Sequence, residues 1–183
     1  MHELGPLIET ERLTLRMFSP EDAESFHRLW AKPEVMRYID PDRKVSIEEA
    51  REAMERQLER WREQGFGQWA VTLKDDGTII GYAGFKYLDN TQEVELLYGL
   101  DSAYWNKGYT TEAGRACLRF AFEHTALDRI VAVAMPENIG SWRVMEKLGM
   151  RREGVARYYN KDLVYYAILR EEQVRMQNAA MMN

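Results

Sequence analysis

The first half of the chain shows one strand pattern followed by two helix patterns. Apolar residues occupy alternate positions across Glu11–Phe18, which predicts a half-buried strand. Ser19 and the proline after it predict a helix start, because serine caps helices and proline fits their first turn. The capping-box sequence Ser46–Glu49 opens a longer amphipathic helix, which we expect to end at Gly65 and Gly67.

The second half of the chain predicts strands separated by turns and by two helices. Apolar alternation and turn residues predict strands at Gln68–Leu73, Thr78–Tyr87, Thr91–Leu100, Arg129–Met135, Met150–Tyr158 and Leu163–Leu169. Helical spacing predicts helices at Gly108–His124 and Ile139–Leu148. The element order predicts an α+β fold, a single mixed, mostly antiparallel central sheet of about seven strands with about four helices on its faces. We expect one domain over residues 8–170 and a flexible tail at 171–183.

Composition excludes several classes of function. The 183 residues are enough for one domain, and a net charge of −5 without a basic run argues against binding to nucleic-acid backbones. No segment has the ~20 apolar residues of a membrane span, and no signal-peptide pattern is present. Cys117, the one cysteine, lies at helical spacing with apolar neighbours, so we interpret it as a buried packing residue. We therefore expect a cytoplasmic protein, and the scattered histidines predict no metal site.

The segment Trp105–Ala113 carries the first functional signal. It follows a predicted strand, contains Gly108 and opens a predicted helix. The first N–H groups of a helix lack intrahelical partners, and the helix dipole attracts negative charge to them. Gly108 has no side chain to block the close approach of a ligand. The pattern predicts an anion site, although a glycine before a helix is common and the signal alone is weak.

A second segment, Asn138–Met150, changes what the first one indicates. Together with that turn, with Thr10–Arg16 and with Ile79–Gly81, it resembles the GNAT superfamily of acyl-CoA-dependent N-acetyltransferases. Within the superfamily the chain is most similar to the RimJ/RimL-type branch of ribosomal-protein N-terminal acetyltransferases. The resemblance covers nearly the whole chain. It implies the GNAT fold and acetyl-CoA as co-substrate, and it leaves the acceptor open.

The resemblance implies that the turn before the third main helix wraps the diphosphate of coenzyme A. The branch commonly carries Trp-Gly-x-Gly-Tyr-Ala there, whereas this chain has Asn106 in place of a glycine and Thr110 in place of the small residue. Asparagine tolerates left-handed backbone better than most residues, so we expect the turn to keep its function. The implied coenzyme-binding residues are Leu97, Lys107, Gly108, Tyr109, Thr110, Thr111 and Asn138.

Direct acyl transfer to an amine requires a base, because the amine must lose a proton. Glu93 and Glu95 fall on one face of an otherwise apolar strand, and burying two acids is costly unless they serve a function or reach solvent. In the family, a glutamate on this strand often acts as the base, directly or through water, and Glu95 matches that position best. Glu93 as the base, and two acids with no catalytic role, remain alternatives.

The leaving thiolate must be protonated, and the resemblance defines this acid less well than the base. Many family members have a tyrosine where this chain has Met145, and methionine cannot donate a proton. RimJ/RimL-type enzymes carry a serine at the position of Ser141, whose hydroxyl can point at the sulfur of coenzyme A. Ser141 is therefore the candidate acid, with a plain helix-start role as the alternative. Asn138 fits a family position near the pantetheine arm and equally well caps the helix.

These residues predict an enzyme that transfers an acetyl group from acetyl-CoA to a primary amine by direct attack in a ternary complex. The acceptor is a protein N-terminal α-amine or a small-molecule amine. One of four tyrosines near the end of the chain is a candidate for lining its pocket: Tyr158, Tyr159, Tyr165, Tyr166. The alternative function is a non-catalytic acyl-CoA-binding sensor of the same fold, which Asn106, Thr110 and Met145 keep open. A homodimer is a further expectation, because dimers are common in the family.

Overall fold

The computed structural model describes residues 6–181, with backbone alone at residues 176, 177 and 179–181. The strands are β1 (Ile8–Glu9), β2 (Leu13–Arg16), β3 (Gln68–Leu73), β4 (Ile79–Tyr87), β5 (Val94–Leu100), β6 (Arg129–Ala134), β7 (Arg151–Tyr158) and β8 (Lys161–Leu169). The helices are α1 (Ala23–Trp30), α2 (Pro33–Met36), α3 (Ile47–Gln64), α4 (Tyr109–His124), α5 (Ile139–Lys147) and α6 (Arg170–Met181). Short 3-10 turns lie at Pro20–Asp22 and Ser102–Tyr104.

The strands within residues 6–181 form one sheet of eight, in the order β1-β2-β3-β4-β5-β6-β8-β7. β5 and β6 pair in parallel, with Glu95 opposite Val131, and the other pairs of defined register are antiparallel. The prediction of an α+β fold with a mixed, mostly antiparallel sheet is confirmed. The sheet has one strand more than expected, because β1 is too short to show a periodic pattern and is defined by its pairing with β2.

Two helices differ from the expectation. α2 is a four-residue helix after Lys32, and α6 occupies Arg170–Met181, where the sequence predicts a flexible tail at 171–183. The guanidinium of Arg170 anchors the start of α6 by donating to the carbonyl oxygens of Phe122, Thr125 and Leu127. The last carbonyls of a helix lack intrahelical partners, so Arg170 satisfies part of the C-terminal end of α4. This long-range contact leaves no trace in the local pattern of the tail.

The chain folds into two compact units. Among residues 6–181, the first comprises the chain up to Gly84 together with Tyr98–Ala113, and the second comprises Phe85–Leu97 together with the chain from Gly114 onward. The chain passes from one unit to the other inside β4, β5 and α4. The units are therefore not successive domains along the sequence.

The first unit follows the local signals of the sequence closely. Leu13 and Leu15 of β2 are fully buried, as the alternation predicts. At the start of α3, Ser46 Oγ accepts a hydrogen bond from the Glu49 N–H at 3.1 Å, and the Glu49 carboxylate accepts one from the Ser46 N–H at 2.7 Å. Gly65 then ends α3 in the left-handed conformation, with φ of 71°. Both predicted ends of α3 are thus confirmed.

The second unit contains the β7–β8 hairpin. Tyr158 pairs with Lys161, so the turn has the two residues Tyr159 and Asn160. Their φ values of 50° and 58° are those of a type I′ turn, which matches the twist of the strands. In the same unit Cys117 is completely buried, and burial raises the pKa of its thiol. The interpretation of Cys117 as a packing residue is confirmed.

Candidate active site

The predicted anion-binding turn lies in the first unit, between Trp105 and the start of α4 at Tyr109. Asn106 and Gly108 are both left-handed, with φ of 61° and 84°, so the asparagine adopts the conformation expected of it. The first helical hydrogen bond beyond the turn runs from the Glu112 N–H to the Gly108 carbonyl, at 3.0 Å. Within residues 6–181, the backbone N–H groups of 107–111 donate to no acceptor. They are therefore available to an anion.

Arg12, at the N-terminal edge of β2, holds this turn in shape. Its Nη1 donates to the Lys107 carbonyl at 2.9 Å, and its Nε donates to Glu112 Oε2 at 2.7 Å. Its guanidinium stacks 4.4 Å from the centre of the Tyr109 ring. A Cβ added to Gly108 would lie 3.3 Å from Arg12 Nη2. The guanidinium thus lies against the turn and fixes a carbonyl, which helps to keep the N–H groups facing outward.

Glu112 is the one acid in the first turn of α4, where a negative charge would repel an anion. The protein surrounds it with donors: Thr10 Oγ1 at 2.6 Å, the Arg12 N–H at 2.8 Å and the Arg12 side chain. Partial burial by itself would raise the pKa of Glu112, but these hydrogen bonds hold it below the usual glutamate value. Glu112 is therefore an ionised partner that orders Arg12, and its charge is compensated locally.

The other predicted residues of the turn have different surroundings. Lys107 is exposed, with Nζ 5.4 Å from the centre of the Tyr104 ring. Thr110 is half-buried and Thr111 is buried. The turn therefore offers backbone donors and the hydroxyls of two threonines, and the charge of Arg12 offsets that of Glu112 beside it. Sequence reasoning did not single out Arg12, because its contact with the turn joins residues about 100 positions apart.

Glu95 lies on β5 in the second unit and is almost completely buried, at 5% exposure. Its Oε2 accepts a hydrogen bond from Tyr159 Oη at 2.7 Å and lies 3.6 Å from Lys86 Nζ. Burial raises the pKa of Glu95, and Lys86 and Tyr159 counteract that effect by favouring the ionised form. A buried carboxyl with a raised pKa and partial charge compensation is a suitable proton acceptor near neutral pH.

Glu93 has different partners from Glu95. Its Oε1 accepts a hydrogen bond from Tyr165 Oη at 2.6 Å and lies 3.6 Å from Arg129 Nε. Arg129 in turn pairs with Glu153 at 2.6 Å. Both acids contact a phenol and a cation, but the Glu93 side chain is 36% exposed and the Glu95 side chain is 7% exposed. The deeper burial of Glu95 favours it over the alternative base Glu93.

Tyr159 is the residue of this site that sequence reasoning did not single out from four tyrosines. It lies at the tip of the β7–β8 hairpin, 64 residues from Glu95 in the chain. The sequence indicates the hairpin turn only in part. Asn160 favours positive φ, but a tyrosine before it is not typical of a type I′ turn. The pairing with Glu95 depends on how the hairpin packs, and no local pattern encodes it.

The remaining predicted residues lie on β5 and α5 of the second unit. Leu97 is half-buried and shares the Glu95 face of β5 by strand alternation. Asn138 caps α5, since its Oδ1 accepts from the Ser141 N–H at 3.3 Å. Ser141 is half-buried in the first turn of α5, and Met145 is fully buried at 1% exposure. The prediction that Asn138 caps the helix is confirmed. Met145 is a core residue.

Within residues 6–181, no group of three or more His, Cys, Asp or Glu residues is arranged to hold a metal ion. Among the same residues, no helix combines the length and the apolar character needed to cross a membrane.

Comparison with known proteins gives a consistent picture. Residues 12–151 match the acetyltransferase (GNAT) domain family. The chain is 34% identical over 174 residues to the uncharacterized N-acetyltransferase YnaD of Bacillus subtilis, covering 90% of this chain and 98% of the relative. It is also 34% identical to a GNAT-family acetyltransferase of known structure from Bacillus anthracis, with a TM-score of 0.76 and coverage of 91% and 99%. RimL, a ribosomal alpha-N-protein acetyltransferase solved with coenzyme A, shares the fold at a TM-score of 0.77, 18% identity and coverage of 90% and 98%.

Proposed function

The chain belongs to the GNAT acetyltransferase family and is an acyl-CoA-dependent acetyltransferase, and from this premise we propose that it acetylates a primary amine by direct attack in a ternary complex. The acceptor is an N-terminal α-amine of a protein or a small-molecule amine. The observation that carries the proposal is Glu95, a buried carboxyl with a raised pKa on the strand where the family resemblance expects the base.

In the proposed reaction, the amine nitrogen attacks the thioester carbonyl carbon of acetyl-CoA. Glu95 takes the proton that the nitrogen loses, directly or through one water molecule. The carbon–sulfur bond then breaks, and the leaving thiolate takes a proton for which the Ser141 hydroxyl is the candidate donor, with water returning a proton to the serine. A backbone N–H near Leu97 polarises the carbonyl oxygen as charge develops on it. An α-amine, with a pKa near 8, needs less help from a base than a lysine amine near 10.4.

The proposed binding of acetyl-CoA rests on the turn before α4. Free N–H groups at a helix start bind phosphate oxygens, and the 107–111 segment offers several of them in one turn. Lys107, Tyr109, Thr110 and Thr111 complete the proposed diphosphate site. Gly108 permits close approach, because a side chain there would be strained at its φ of 84°.

The experiment that tests the function measures free CoA thiol after acetyl-CoA is mixed with a panel of small amines and N-terminal peptides. A reaction without acceptor corrects for hydrolysis, and mass spectrometry identifies the acetylated amine. Thiol release that depends on an amine supports the proposal. Tight binding of acetyl-CoA without turnover on any acceptor would instead favour a sensor, the second candidate, for which the departures at Asn106, Thr110 and Met145 are the observations.

Replacing Arg12 by glutamine is expected to raise KM for acetyl-CoA about tenfold with little change in kcat. The guanidinium fixes the Lys107 carbonyl and supplies charge beside the turn, and a charged hydrogen bond is worth about 1.5–3 kcal/mol. Acetyl-pantetheine lacks the diphosphate, so its KM should barely change. Arg51→Gln, an exposed position on α3, is the matched control. An equal loss with both donors would show that Arg12 acts elsewhere than on the diphosphate.

Replacing Ser141 by alanine is expected to slow acetyl transfer about three- to tenfold, because the leaving thiolate loses a hydrogen-bond donor. The Asn138 cap uses the backbone N–H of residue 141, which alanine retains, so α5 should start at the same residue. Steady-state thiol release measures the rate, and far-ultraviolet circular dichroism checks the helix content. Turnover at the wild-type rate would remove Ser141 as the acid.

A further inference from the structure

We propose that Tyr159, at the tip of the β7–β8 hairpin, is a positioning residue that holds Glu95 in its ionised, proton-accepting state. The inference rests on the proposed role of Glu95 as base and adds a residue to that site. It is supported by short polar contacts, by the positive φ of Tyr159, and by Lys86, which lies near both Glu95 and Tyr159. All of these residues belong to the second unit.

The orientation of the Tyr159 hydroxyl is determined by its neighbours. Tyr159 Oη accepts a hydrogen bond from the Asp89 N–H at 2.9 Å and lies 2.7 Å from Glu95 Oε2. The backbone N–H can only donate, and the Glu95 carboxylate accepts the phenolic proton. The hydroxyl therefore stabilises the ionised form of Glu95.

The hairpin tip is held in place by a reciprocal contact. The Tyr159 N–H donates to Asp89 Oδ2 at 2.9 Å, so Tyr159 and Asp89 exchange two hydrogen bonds. Both residues are left-handed, with φ of 50° and 45°, a conformation that aspartate adopts more readily than tyrosine does. Type I′ turns ordinarily carry asparagine, aspartate or glycine at the position of Tyr159. A tyrosine kept there at a conformational cost indicates that its side chain serves a purpose.

The charges around the pair favour the same state. Lys86 Nζ on β4 lies 3.6 Å from Glu95 Oε2 and 4.5 Å from the centre of the Tyr159 ring. Asp89, after β4, is the like charge that opposes ionisation of Glu95. Glu93, the residue before β5, contacts Tyr165 and Arg129. Burial alone would leave Glu95 protonated to a higher pH, and Lys86 and the Tyr159 hydroxyl are the groups that oppose it.

The direct test is a carboxyl titration that does not depend on activity. Protein labelled with 13C at the glutamate carboxyl carbon is titrated by NMR, with Glu95→Gln identifying the Glu95 signal. Tyr159→Phe keeps the ring and removes the hydroxyl, so the Glu95 midpoint should move to higher pH. Tyr166→Phe is the matched control, because it removes a phenol that contacts a different acid, Glu146, at 3.2 Å. An unmoved midpoint in Tyr159→Phe would overturn the inference.

The kinetic counterpart is the ratio of variant to wild-type turnover as a function of pH. For Tyr159→Phe we expect a loss of about tenfold at pH 6 that becomes smaller as the pH is raised to 9, because a larger fraction of Glu95 is then ionised. The acceptor amine titrates equally in both, so it cancels in the ratio. Tyr159→Asn suits the turn and lacks the reach of tyrosine, and it should show the same pH dependence.

The outcomes separate the inference from the proposed function. A loss that is equal at pH 6 and pH 9 in both variants would assign Tyr159 a purely structural role and overturn the positioning role. A shifted midpoint with no pH-dependent change in turnover would support the Tyr159–Glu95 coupling and contradict Glu95 as the base.

Discussion

Glu95→Gln is expected to lower turnover by about 100-fold or more while leaving the affinity for acetyl-CoA unchanged. Glutamine keeps the size of the side chain and still accepts the hydrogen bond from Tyr159 Oη, but it cannot take a proton from the amine. The neutral amide also avoids the desolvation of a buried charge, so the fold should tolerate it. Thiol release measures turnover, and calorimetry measures acetyl-CoA binding.

The pH dependence of turnover is a second test of Glu95 as the base. Glu95 must be deprotonated to act, so the wild-type rate should rise as pH increases through its pKa. Because burial raises the pKa of Glu95, this rise in rate should occur at a pH above the ordinary glutamate pKa near 4.3. The rise should be absent in Glu95→Gln, whose pH dependence should reflect only the titration of the acceptor amine.

Glu93→Gln is the matched control for Glu95→Gln, because it makes the same change in the acid two positions earlier in the chain. Its carboxylate is held by Tyr165 and Arg129, and we expect turnover within about threefold of wild type, because no proton transfer depends on it. If Glu93→Gln loses about 100-fold and Glu95→Gln does not, the two assignments are reversed. An unchanged rate in Glu95→Gln from pH 6 to 9 would remove Glu95 as the base.

Gly81→Ala is expected to destabilise the protein by about 3–5 kcal/mol, enough to prevent folding at physiological temperature in a marginal protein. A Cβ on Gly81 would lie 2.1 Å from the Gly99 carbonyl oxygen and 2.8 Å from Leu100 Cα. Both are backbone atoms that cannot rotate away. The φ of 155° adds a conformational cost for any residue with a side chain. Thermal unfolding followed by circular dichroism should show a fall in Tm of about 10 °C or more.

Gly154→Ala separates the steric clash from the backbone conformation. Gly154 has a φ of 137°, and nothing lies within 4 Å of the Cβ that alanine would add. Only the conformational cost applies, so a loss of about 1 kcal/mol is expected. If Gly81→Ala melts at the same temperature as Gly154→Ala, the approach of Gly81 to Gly99 is looser than the structure describes.

Much of the fold followed from local pattern. β3 has the predicted bounds Gln68–Leu73, and α3 begins after its capping box and ends at Gly65 as predicted. These signals lie within a few residues of the structure that they specify. α6 was not expected, because its anchor is a side chain that reaches carbonyls more than 40 residues away.

The candidate site also combines local features with contacts between residues that are distant in the chain. The glycine turn, the left-handed Asn106 and the Asn138 cap are local features, and the motifs that contain them indicated the family from the sequence alone. The contacts of Arg12 with Lys107 and of Tyr159 with Glu95 join distant positions. Neither contact can be derived from spacing, because each depends on which strands and turns meet.

The sequence by itself determined the fold class and the family, and it narrowed the proposed base to two acids, Glu93 and Glu95. Only the tertiary structure decided that Glu95 is buried beside Tyr159 and Lys86, while Glu93 is paired with Tyr165 and Arg129. The physical reason is that alternation assigns both acids to one face of the predicted strand Thr91–Leu100 without identifying the neighbours of either. Burial and charge, which set the proton affinity of each acid, come from those neighbours.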